Sequence, residues 1–147
     1  MLFTHEEIEA VAPHVTSEAQ GQRGLENPFI TLRDLETLCQ GNEILEMCLR
    51  DVVMQTLRYA ETICLFVQIV ARGQSSNEDD TRTQIEAVRT ASHDATIASV
   101  NLLSRQLKTS GLDNTWIKKL STGRPAYTKF AMLIAFEVVN RGGSNEQ

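Results

Sequence analysis

Two long runs of helical periodicity, joined by a link too short to carry the chain back to its starting end, restrict this sequence more than any other feature. From Asn42 to Arg72, residues such as Leu45, Leu49, Val52, Val53, Leu57, Ala60, Cys64 and Val67 recur at three- and four-residue spacing, one unbroken apolar stripe. Gly73 stops it. After GQSSNEDD, whose Glu78, Asp79 and Asp80 suit the positive end of a helix dipole, a second run extends from about Asn77 to Thr109 and ends before Gly111. Each helix has roughly 30 residues and is roughly 45 Å long. A short link forces such rods antiparallel, as a hairpin.

Shorter elements flank the pair. Thr4-His5-Glu6-Glu7 has the form of a capping box and predicts a helix ending near Pro13 or His14. Residues 16–29 are polar, glycine-bearing and aperiodic, and read as a flexible loop. Thr31 can cap a helix over Leu32 to Gln40, stopped by Gly41. DNTWIKKL predicts a short helix with Asp113 as its cap. STGRP makes a turn, Pro125 suits a first helical position, and Ala126 to Arg141 predicts a last helix with only a narrow polar face around Lys129, Glu137 and Asn140. That helix should be the most enclosed. GGSNEQ reads as a disordered tail over 142–147. No alternating strand pattern, internal repeat or low-complexity block interrupts this order. The fold class is therefore all-α, an antiparallel helical bundle built on two long helices in a hairpin plus three or four shorter ones, in a single domain over 1–141.

Composition agrees. A chain of 147 residues, 41% hydrophobic and 22% charged, is long enough to bury a core without disulfides or metals. Its most apolar segment, Ile63 to Ala71, is far shorter than the roughly 20 residues that cross a bilayer. The N-terminus places acidic residues where a secretory signal has basic ones, so a cytoplasmic protein with no membrane partner is expected. Cys39, Cys48 and Cys64, odd in number and without CxxC spacing, fit reduced core thiols. The net charge of −5 hides a gradient: residues 1–51 carry ten acidic and three basic side chains, and residues 105–147 carry three and seven. Such a gradient can close within the fold or pair two copies head to tail. Its basic end is weak beside a dedicated nucleic-acid surface, and Ala126 to Arg141 is too apolar to lie in a groove of DNA.

The stretch TASHDATIAS, residues 90–99, sets His93 beside Asp94. Adjacent helical residues diverge by about 100°, so the two should not face one site together. Asp94 aligns with Thr90, Asn101 and Arg105 as a solvated stripe, and His93 stands at the edge of the apolar arc with one wet nitrogen. Ala91, Ser92, Ala95, Ala98 and Ser99, with Leu102 beyond them, form a small-residue surface where another helix can approach closely, as a helix-packing or dimer face.

No catalytic residue, metal site or cofactor is indicated. The Glu-x-x-His pairs of di-iron bundles are missing, the three histidines lie at least nine residues apart, and no GxSxG, GxGxxG or phosphate loop occurs. The basic group Lys118, Lys119, Arg124 and Lys129, with Trp116 and Tyr127, fits a solvated turn anchored by Trp116. Because the shorter helices span only part of the hairpin, a second copy is the economical cover for its stripes. The expected function is a non-catalytic helical interaction or regulatory module acting as a homodimer, binding a protein partner. The alternative is a small-molecule binder with an apolar pocket between the long helices and the last one. His93, Asn101, Arg105, Trp116, Arg124 and Tyr127 are the candidate ligand or partner contacts.

Overall fold

The structure, a computed structural model, describes the backbone of residues 29–72 and 76–145 and the side chains of residues 29–65 and 83–141. Among the described residues five helices follow one another: α1 (Leu32–Cys39), α2 (Glu43–Arg72), α3 (Ser76–Thr109), α4 (Ile117–Leu120) and α5 (Arg124–Asn145). No strand occurs among the described residues. The expected capping box at Thr4, its helix, and nearly all of the 16–29 loop lie outside them. Phe29, the last residue of that loop, is described and sets its ring edge-on to Phe130 at 5.9 Å.

Helix ends follow local chemistry. The Thr31 hydroxyl accepts the Asp34 N–H at 3.1 Å and opens α1, and the Asn42 side chain accepts the Ile44 and Leu45 amides and opens α2. At the end of α3 the Leu112 N–H donates to the Leu107 carbonyl and the Gly111 N–H to that of Lys108. This double closure needs a left-handed residue, supplied by Gly111 at φ +73°. Gly41, at φ +83°, serves the same purpose after α1.

Three expectations are corrected. Asp113 does not cap α4; its Oδ1 accepts the N–H and hydroxyl of Thr115 in the preceding turn, and Trp116 holds the cap position without a side-chain bond. The last helix starts at Arg124, because the Ala126 and Tyr127 amides find the Gly123 carbonyl. Its backbone carries helix through Gly142 and Gly143 to Asn145, where a tail from 142 was expected.

The two long helices pack against each other more extensively than any other pair. Their antiparallel register is fixed by the Thr96 hydroxyl, 3.1 Å from the Gln55 carbonyl, and by the Tyr59 and His93 rings, 5.3 Å apart. Small buried hydroxyls line this seam. Thr56, Thr62, Thr96 and Ser99 each donate to a carbonyl three or four residues earlier, so none is left without an acceptor. α5 lies across the hairpin, mainly on α2, and buries Tyr127, Phe130, Ala131, Met132, Ile134, Ala135 and Val138. α1 closes the start of α2. Leu32, Leu35, Leu45, Leu49, Val52, Leu103, Leu107, Leu120 and Phe130 join one continuous core. Each such side chain contributes roughly 1.5–3 kcal/mol by leaving water.

A carboxylate fastens α1 to α5. Glu137 accepts the Leu32 N–H at 3.1 Å and the Arg33 N–H at 2.9 Å, one on each oxygen. Arg141 then bridges Glu137 at 3.0 Å and Glu36 at 2.6 Å. Two opening amides of α1 are thus satisfied from another helix.

Candidate functional site

The six candidate contact residues do not gather in one place. His93 and Tyr127 meet, with ring centroids 5.7 Å apart. Asn101 and Arg105 are exposed along α3, Arg124 is exposed at the head of α5, and Trp116 is buried against Phe130. Where the long helices meet the last one, the space described holds side chains: His93 sits between the edges of Tyr59 and Tyr127, and the Tyr59 hydroxyl reaches that of Thr128 at 2.9 Å. Burial pushes the Tyr127 phenol up from its ordinary range.

His93 differs from expectation in two respects. It is only 7% exposed, and its Nδ1 lies 3.4 Å from Asp94 Oδ1 despite the divergence of the two Cβ directions. Its Nε2 is enclosed, with no hydrogen-bond partner among the described residues.

The small-residue surface of α3 divides in two. Ser92 and Ser99 are buried on the face they share with Thr96, the residue that bonds to α2. Ala91, Ala98 and Leu102 are exposed, and Ala95 is half-buried. Along the exposed side, Val88, Ala91, Ala95, Ala98 and Leu102 follow steps of three and four, the seven-residue repeat of a helix-pairing seam. His93 turns one way from the Ser92–Thr96–Ser99 line, toward α5; this seam turns the other way.

The large apolar side chains that stay exposed among the described residues are Ile44, Met47, Val88 and Leu102, and all stand on α2 or α3. The antiparallel register puts Ile44 and Met47 level with the last two turns of α3, where Leu102 lies. Sequence periodicity missed Ile44 and Met47 because they fall off the buried stripe of α2. Single exposed apolar residues are commonplace; their confinement to one hairpin is not.

Two open grooves flank α1. One, of about 530 Å³, is lined by Arg33, Glu36, Cys39, Glu46 and Leu49, and includes half of the Arg141 ion pair. The other, of about 470 Å³, is lined by Phe29, Ile30, Asp34, Leu38, Asp113, Trp116 and Lys119. No sequence spacing announces the second, since α1 and the α3–α4 connection meet only through the tertiary fold.

Cys39, Cys48 and Cys64 are buried thiols. Burial, then neighbouring Cys48 and Glu46, pushes Cys39 up to about 11, and Cys48 is raised by burial and by Asp51. Neither favours the thiolate that nucleophilic chemistry needs. Among the described residues no group of His, Cys, Asp and Glu has the makings of a metal site, and no helix is long and apolar enough to cross a membrane.

These features define a class, an all-α bundle organised on one long hairpin. No family model, curated protein or solved structure matches the chain.

Proposed function

We propose that the chain is a non-catalytic helical interaction module that acts as a homodimer, two α2–α3 hairpins meeting through their uncovered face. The observation that supports this reading is the confinement of the exposed large apolar side chains to the two long helices. The seam on α3 is nearly self-complementary. About Ala95 as the two-fold point, an antiparallel second copy sets Val88 against Leu102 and Ala91 against Ala98, as an isologous contact demands. Alanines at the centre allow close approach of the axes, and the larger residues lock the ends. The face then offers a protein partner a four-helix surface.

Light scattering coupled to size exclusion tests it. The wild-type chain should run as a dimer at micromolar concentration, and Leu102→Glu or Val88→Glu should run as folded monomers, because each buries an unpaired charge in the contact. Lys118→Glu, on α4, should leave the dimer intact. A wild-type monomer at high micromolar concentration rejects the proposal.

A further inference from the structure

The groove between α1 and the α3–α4 connection combines apolar walls with unpaired charge. Phe29, Leu38 and Trp116 line it, together with Asp34, Asp113 and Lys119. None of these three charged groups has an ion-pair partner among the described residues. Two carboxylates against one ammonium leave the groove short of one positive charge. Both hydrogen bonds to Asp113, from the Thr115 N–H at 2.9 Å and the Thr115 hydroxyl at 2.8 Å, fall on Oδ1. Oδ2 accepts no hydrogen bond among the described residues, and the Thr115 bonds hold the carboxyl below its ordinary range, so it stays ionised at neutral pH. Trp116 is only 5% exposed, yet its Nε1 has no acceptor among the described residues.

We propose that this groove binds an organic monocation on an apolar stem, the chemistry of an arginine or lysine side chain, with Asp34 and Asp113 meeting the charge and Phe29, Leu38 and Trp116 the stem. Aromatic walls add their own attraction for a cation. Two carboxylates repel an anionic ligand, while the apolar walls supply too few oxygens for a bare divalent ion. The stem of Lys119 can lie along the wall with its head in water, leaving the centre open. The cation arrives either as a free amine or guanidine or as a side chain in a peptide.

Trp116 is the sole tryptophan of the chain, so its fluorescence reports on this groove alone. The full chain is titrated with butylguanidinium, uncharged butylurea, butyrate and the capped peptide acetyl-Leu-Arg-Leu-amide. Butylguanidinium should give a saturable change in the millimolar range, weakened by salt, and butylurea and butyrate should not. Asp34→Asn and Asp113→Asn should each weaken binding about two- to five-fold, and Lys119→Gln should tighten it by a similar factor. The asparagine at 113 keeps an oxygen for the Thr115 bonds, so the turn survives. A peptide about ten-fold tighter than butylguanidinium identifies a chain-borne cation, and equal affinities a free one. Equal responses to butylurea and butylguanidinium, or unchanged affinity in the folded Asp34→Asn/Asp113→Asn variant and in Lys119→Gln, overturn the proposal.

Discussion

His93 is held by shape more than by bonding. Its ring fits between Tyr59 and Tyr127, while Nδ1 has one long contact and Nε2 has none among the described residues. An enclosed nitrogen without a partner costs about 1–3 kcal/mol. Replacing the ring by a benzene of similar size keeps both edge contacts and removes that cost. His93→Phe is therefore expected to match or exceed the wild type in urea, by about 1 kcal/mol. His93→Ala should lose about 3 kcal/mol through the cavity it leaves. A His93→Phe protein as weak as His93→Ala would show that the imidazole nitrogens carry the site. Cys39 makes a different prediction. Its thiol ionises at about 11 in the fold against an ordinary 9.0, so the unfolded chain gives up its proton first as pH rises. The stability this thiol contributes is complete below about pH 9 and drains away between there and pH 11. Cys39→Ala should flatten this alkaline limb of the urea midpoint. Thiol reagents at neutral pH should modify Cys39 only after unfolding.

At the scale of the element, Glu137 has more consequence than its place in a narrow polar face suggests. By accepting the Leu32 and Arg33 amides it caps α1 from outside, and by receiving Arg141 it joins α1 and α5 through Glu36. Glu137→Ala should cost about 1–2 kcal/mol and raise amide exchange across α1 first, while leaving the α2–α3 amides protected. Uniform loss of protection would mean that the cap is not local. This element also marks what the sequence could and could not say. Thr31, Asn42, Gly41 and Gly111 act on residues next to them, so the helix ends they set were readable to within a residue or two. The apolar stripe of α2 and the enclosure of α5 followed from periodicity. Glu137 was visible as polar, but nothing local says that its carboxylate reaches the start of α1. The groove between α1 and the α3–α4 connection was hidden for the same reason, since its walls are remote in sequence. The small-residue surface was half legible: composition marked close packing, but only the register on α2 separates buried Ser92 and Ser99 from exposed Ala91, Ala98 and Leu102.

For the whole molecule, the hairpin organises everything else. α5 and α1 cover part of it, and the seam from Val88 to Leu102 looks outward. If two such faces meet, unfolding is coupled to dissociation, so the melting temperature should climb with protein concentration. Leu102→Glu should abolish that climb and lower the midpoint. A melting temperature independent of concentration from low to high micromolar would count against self-association. The Glu137 contact has its own bearing on how the chain reaches this state. It joins positions 105 apart, whereas the Gln55–Thr96 bond of the hairpin joins positions 41 apart. Shorter loops close at lower entropic cost, so the rods zip together early and the small first helix is fastened only afterwards. Substitutions at Glu137 should therefore quicken unfolding and hardly touch the refolding rate, the mark of a latch that snaps shut after the barrier has been crossed.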